Sequence, residues 1–117
     1  MHTLLNIIAV FLGSGLGGVC RWGLSQWING QYPFGTFAVN ILGCFILGLL
    51  TKIAPGNEQV RLLLMTGFCG GFTTFSTFMS ENFMMLRGSQ LLLSLCYIAI
   101  SLSAGILAAW GGYNIPR

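Results

Sequence analysis

The sequence predicts an all-α membrane protein with four transmembrane helices. Three observations carry that expectation. The chain of 117 residues holds seven charged side chains (Arg21, Lys52, Glu58, Arg61, Glu81, Arg87 and Arg117), or 6%, against about 25% in an average soluble domain. Hydrophobic residues make up 55%. Long apolar stretches fall at about 4–20, 34–52, 62–86 and 91–111. So few charges cannot cover a water-soluble surface, and disordered chains are poor in apolar residues and rich in charge.

Each stretch is near the ~20 residues that cross a bilayer as a helix. Together they make residues 1–117 a single integral membrane domain, with little chain left between the spans. The apolar runs are continuous rather than alternating, which argues against a β-barrel.

The first span, 4–20, is expected to end at Arg21. Met1-His2-Thr3 carries no Lys or Arg, so it lacks the basic start of a cleaved signal, and the span is expected to be retained. Gly13-Ser-Gly15-Leu-Gly17-Gly18 matches G-x-G-x-x-G literally. A dinucleotide site needs a preceding strand and an acidic residue about 20 positions on. Here the motif lies in an apolar helix and the first acidic residue is Glu58. Neither a nucleotide nor a nucleic acid is an expected partner. Gly13 and Gly17 read instead as a small-residue pair for close helix packing. Trp22, Trp27 and Tyr32 near the first loop suit a membrane interface.

The second span, 34–52, carries Thr36, Asn40, Cys44 and Gly48 at i+4 intervals on one face. Asn40 is an amide in a membrane segment, and its donors need partners.

Polar chemistry concentrates in the third span, 62–86. Gly70-Gly71 is followed by Thr73, Thr74, Ser76 and Thr77. Each Gly costs a helix about 1 kcal/mol relative to Ala, and hydroxyls compete for backbone hydrogen bonds. The residues favour a helix break near 70–74 over a continuous helix with a polar face. Broken backbone in a bilayer is tolerated where protein buries it or where it lines a cavity, and its carbonyls can hold a cation. Thr73, Thr77 and Glu81 recur at i, i+4 and i+8. Phe75 and Phe78 are i, i+3 neighbours whose rings should project from one side. Ring edges carry partial positive charge and can face a small anion.

The fourth span, 91–111, extends the polar pattern with Tyr97, Ser101 and Gly105, while Ser101, Gly105 and Ala109 form a small-residue run. These neutral polar residues read either as glue between helices or as a pore wall of donors. Cys20, Cys44, Cys69 and Cys96 form no C-x-x-C and read as small buried residues rather than disulfides or metal ligands. No nucleophile–base pair is present, so no enzymatic chemistry is expected.

With four spans, Lys52, Arg61 and Arg117 fall on one side of the membrane and Arg21 and Arg87 on the other, three against two. Lys and Arg bias normally orients a membrane chain. So weak a bias permits either one orientation or insertion both ways up, as an antiparallel dual-topology homodimer. Four helices also leave little room for a hydrated path, so any transport role implies a homo-oligomer.

The residues Gly17-Gly18-x-x-Arg21-Trp22, then Gly35-Thr36-x-x-x-Asn40-x-x-Gly43-x-Phe45-x-x-Gly48, then Gly67-x-x-Gly70-Gly71-x-Thr73-Thr74-Phe75-Ser76-Thr77-Phe78-x-x-Glu81 resemble the Fluc/CrcB fluoride ion channel family. The resemblance covers all four spans. It implies a multi-pass channel of the cell (inner) membrane that passively exports cytoplasmic fluoride and so lowers its toxicity. It implies an antiparallel dual-topology homodimer with two pores. It implies a structural Na+ at the dimer centre, held by main-chain carbonyls of Gly70 and Thr73 from both subunits. It assigns Asn40, Phe75, Phe78, Thr36, Tyr97 and Ser101 to the fluoride pore. Arg21 and Glu81 match family positions and read as pore-mouth or structural residues. The next position of the polar track, often Ser in relatives, is Gly105 here. Fluoride holds its water tightly, and an anion leaving water needs close donors in compensation; neutral donors supply them without trapping the ion. The alternative is a proton-coupled exporter of the small multidrug-resistance type. That class needs a carboxylate in the first span, and residues 4–20 contain none.

Overall fold

The computed structural model describes residues 2–28, 30, 33–53 and 56–116. Among these residues the chain is helical, without strands. Helix α1 is His2–Ile28 and α2 is Phe34–Ile53. Helix α3 covers residues 58–72, α4 is Ser76–Arg87 and α5 is Leu91–Tyr113. Helices α3 and α4 together make the third span, Glu58–Arg87, and four segments are long and apolar enough to cross a membrane. Tyr32 and Arg117, used above for the interface and the charge count, lie outside the described residues, as does Met1.

Helix α1 does not end at Arg21. It continues through Trp22 and Trp27 to Ile28, a run of 27 residues. That is about 40 Å of helix at 1.5 Å per residue, longer than a ~30 Å hydrocarbon core, so α1 must tilt or project. Residues 21–28 contain no Pro to stop the helix. The arginine is accommodated within the helix because it finds an acceptor in the molecule, described below.

Helices α1 and α3 lie side by side and run the same way. Asn6 bonds Glu58 and Gln59, and Arg21 bonds Gly71, so paired residues keep a separation of 50 to 53 positions. Glycines allow this approach. A Cβ at Gly13 would run into the Leu63 carbonyl, and one at Gly17 into the Phe68 carbonyl. A Cβ at Gly71 would meet the Ser14 carbonyl in the same way. The literal G-x-G-x-x-G is therefore a helix seam. Helix α2 packs antiparallel to α5 by the same device, with Gly48 against Ala109 and Gly112 against Phe45.

The third span holds two irregularities. Residues Leu62–Cys69 form a π-helix, with the Gly70 N–H reaching the Met65 carbonyl; such turns are rare and frequent at functional sites. The helix then stops at Thr73, which is extended at φ −88° and ψ 160°, and resumes at Ser76. The break thus lies at 73–75, at the far edge of the expected window, and Gly70 and Gly71 are still helical. The hydroxyls, not the glycines, end the helix. Thr73 Oγ1 donates to the Cys69 carbonyl at 2.9 Å, and Thr74 Oγ1 accepts the Thr77 N–H at 3.2 Å, capping α4.

The protomer measures 51 × 31 × 22 Å. Its narrowest dimension is about two helix diameters, as for a bundle of four packed helices. The cysteines do not share the expected burial. Cys69 is buried and Cys44 is half-buried, but Cys20 and Cys96 are exposed, because they fall on outward faces of α1 and α5.

Candidate functional site

The break is clamped from two helices. From α2, the Asn40 amide pairs with the peptide of Thr74: its Oδ1 accepts the Thr74 N–H at 2.7 Å and its Nδ2 donates to the Thr74 carbonyl at 3.2 Å. From α1, Arg21 Nε donates to the Gly71 carbonyl at 3.0 Å. Both are charged or polar side chains on helices long and apolar enough to cross a membrane, where an uncompensated group is costly. Each bonds backbone that the break has released.

Two further carbonyls lose their helical partners. In an unbroken helix the Gly70 carbonyl accepts from Thr74 N–H and the Thr73 carbonyl from Thr77 N–H. Here the first N–H goes to Asn40 and the second to Thr74 Oγ1. Gly70 is exposed and Thr73 half-buried on the protomer, and a carbonyl without a partner in a bilayer is costly. Gly70 and Thr73 are the two positions assigned to the cation above, and a hard cation suits carbonyl oxygens. The donor set therefore fits that group.

A groove of ≈ 520 Å³ opens beside the break, between α2, α3, α4 and α5. It brings together Asn40, Gly70, Thr73, Phe75, Phe78, Ser101 and Gly105. No charged residue lines it. Asn40 spends one amide N–H on Thr74; the side chain carries two, which leaves one for the groove. Ser101 Oγ is buried without a hydrogen-bond partner among the described residues. The two phenylalanines share the groove but not the same environment. Phe78 is 6% exposed and Phe75 is 73% exposed, because Phe75 precedes the first turn of α4.

Thr36 and Tyr97 do not line this groove. They meet at Glu81 instead. Thr36 Oγ1 donates to Glu81 Oε2 at 2.6 Å and Tyr97 O–H donates to Oε1 at 2.8 Å. Phe78 connects the two regions, its ring lying edge-on to Tyr97 with centroids 4.9 Å apart. The purpose of Glu81 was not readable from sequence, since its partners lie 45 and 16 positions away. The sequence reading also missed Asn82 and Ser94, which bond each other in the buried α4–α5 contact. A polar pair on two consecutive apolar helices was the available signal.

The sequence matches the family described as "CrcB-like protein, Camphor Resistance (CrcB)" over residues 8–113. The chain belongs to the CrcB family. Curated CrcB relatives agree over nearly their whole length. A fluoride-specific ion channel FluC of Gloeothece citriformis is 45% identical, over 97% of this chain and 98% of the relative. A FluC of Flavobacterium psychrophilum is 36% identical, over 96% and 97%. A FluC 2 of Bacillus subtilis is 45% identical, over 93% and 86%.

Proposed function

We propose that this protein is a fluoride-selective channel through which cytoplasmic fluoride leaves the cell passively across the inner membrane. Full-length relatives named as fluoride-specific channels support the substrate. The observation that carries the reading is the uncharged groove that Ser101, whose buried hydroxyl has no partner among the described residues, lines together with Asn40, Phe75 and Phe78. A small anion gives that hydroxyl its acceptor. The amide and phenyl edges replace lost water without a full positive charge to hold the ion.

The functional unit in this reading is an antiparallel homodimer with two pores. The groove is open on the protomer, which is only 22 Å thick, and a second copy closes it. The freed Gly70 and Thr73 carbonyls of both copies then hold Na+ at the centre. The ion supplies positive charge that compensates those carbonyls and ties the copies together. Arg21 keeps the Gly71 carbonyl out of this set by occupying it. A proton-coupled exporter finds no support here, because α1 carries no carboxylate.

Purified protein in liposomes loaded with fluoride tests the function. Fluoride should leave rapidly once a counter-ion path is opened, and chloride should not. Equal loss of both ions, or of neither, overturns the channel reading.

A further inference from the structure

Asn82 and Ser94 lie outside the groove and outside the Glu81 cluster, yet both are buried polar side chains, at 4% and 1% exposure. Ser94 Oγ donates to Asn82 Oδ1 at 2.8 Å. Asn82 Nδ2 in turn donates to the Phe78 carbonyl at 2.8 Å. A chain of hydrogen bonds therefore runs from α5 to the backbone of the residue whose ring lines the groove.

The element they join needs such a tie. Helix α4 has 12 residues, a length marginal for an isolated helix, and it follows a break. Its packing against the rest of the protomer is chiefly on α5. Apolar contacts are non-directional, so the rotation of α4 about its axis is set by its polar contacts: Glu81 with Thr36 and Tyr97, and Asn82 with Ser94 beside it. A one-residue rotation turns a helix by about 100°. That would carry Asn82 away from Ser94 and leave buried amide and hydroxyl groups unpaired. Buried polar pairs are known to fix register in this way.

We propose that Asn82 and Ser94 are a positioning pair that sets the rotation of α4 on α5 and so holds the Phe78 ring in the fluoride path. The inference rests on the channel reading above. Neither side chain touches the ion; both act through Phe78.

Fluoride efflux from liposomes tests it, with wild type measured alongside. Ser94→Ala should slow efflux about tenfold, as expected for a buried acceptor left without its donor. Replacing both partners by apolar groups restores packing at little cost to stability. Asn82→Leu/Ser94→Ala should therefore unfold near the wild-type temperature yet conduct as poorly as Ser94→Ala. In a Phe78→Ile background, Ser94→Ala should add no further loss, since coupled residues are non-additive. A folded double variant that conducts at the wild-type rate overturns the proposal, as does a loss in the Phe78→Ile background that multiplies in full. The background series decides the matter even if the double variant fails to fold. A wild-type protein that passes no fluoride removes the channel reading itself, and this inference with it.

Discussion

Glu81 is a carboxylate in a membrane segment with both oxygens occupied, one by Thr36 and one by Tyr97. The acid thus joins α2, α4 and α5 at one point. Arg21 is the complementary case: a cation whose guanidinium takes a backbone carbonyl in place of water. The two phenylalanines separate by burial. Phe78 packs on Tyr97, whereas Phe75 is exposed on the protomer. Phe78→Ile and Phe75→Ile should each reduce fluoride efflux, by about tenfold if one ring-edge contact is worth ~1.4 kcal/mol. Cross-linking or gel filtration should report the same assembly for these variants as for the wild type. Unchanged efflux in both variants would remove the rings from the mechanism.

At the scale of elements, the α1–α3 seam is a backbone-to-backbone contact. An added methyl at Gly17 has nowhere to go, because the obstructing atoms belong to the Phe68 carbonyl and the Phe72 amide. Gly15, two positions away on the same helix, has nothing within 4 Å of such a methyl. Gly17→Ala should cost about 2 kcal/mol through overpacking. Gly15→Ala should be neutral or stabilising by up to about 1 kcal/mol through helix propensity. Thermal unfolding in detergent compares them directly, and equal effects would exclude the seam as the cause. The break itself is held by competition. Asn40 and Thr74 each take an N–H that a continuous helix would have used.

For the whole molecule, thickness and charge lead to the same assembly. In the proposed assembly a partner encloses the path that a bundle 22 Å across leaves open, and a charge split of three to two is compatible with that partner entering the other way up. C-terminal reporter fusions should therefore signal from both sides of the membrane. Signal from one side alone would exclude dual topology. The proposed central Na+ makes a separate prediction. Replacing Na+ by a large organic cation during purification should slow fluoride efflux and lower the unfolding temperature, because binding to the native state alone is stabilising. Indifference to the cation on both measures would take Na+ out of the structure.

The sequence alone determined the four spans, their order and the small-residue seam in α1, because apolar length and i, i+4 spacing are properties of a single helix. It also foretold a broken third span, and the tandem hydroxyls Thr73 and Thr74 were the part of that signal that mattered. Where the helix itself ends was not readable: α1 runs on past Arg21 to Ile28, and Arg21 finds a long-range acceptor in the Gly71 carbonyl. Tertiary structure decided which residues meet. It brought Asn40, Phe75, Phe78 and Ser101 to one groove, sent Thr36 and Tyr97 to Glu81, and paired Asn82 with Ser94. The physical reason is directional. Burial of apolar faces follows from local periodicity, but a hydrogen bond needs two atoms within about 3 Å, and helix docking alone brings together residues as distant in sequence as Asn40 and Thr74.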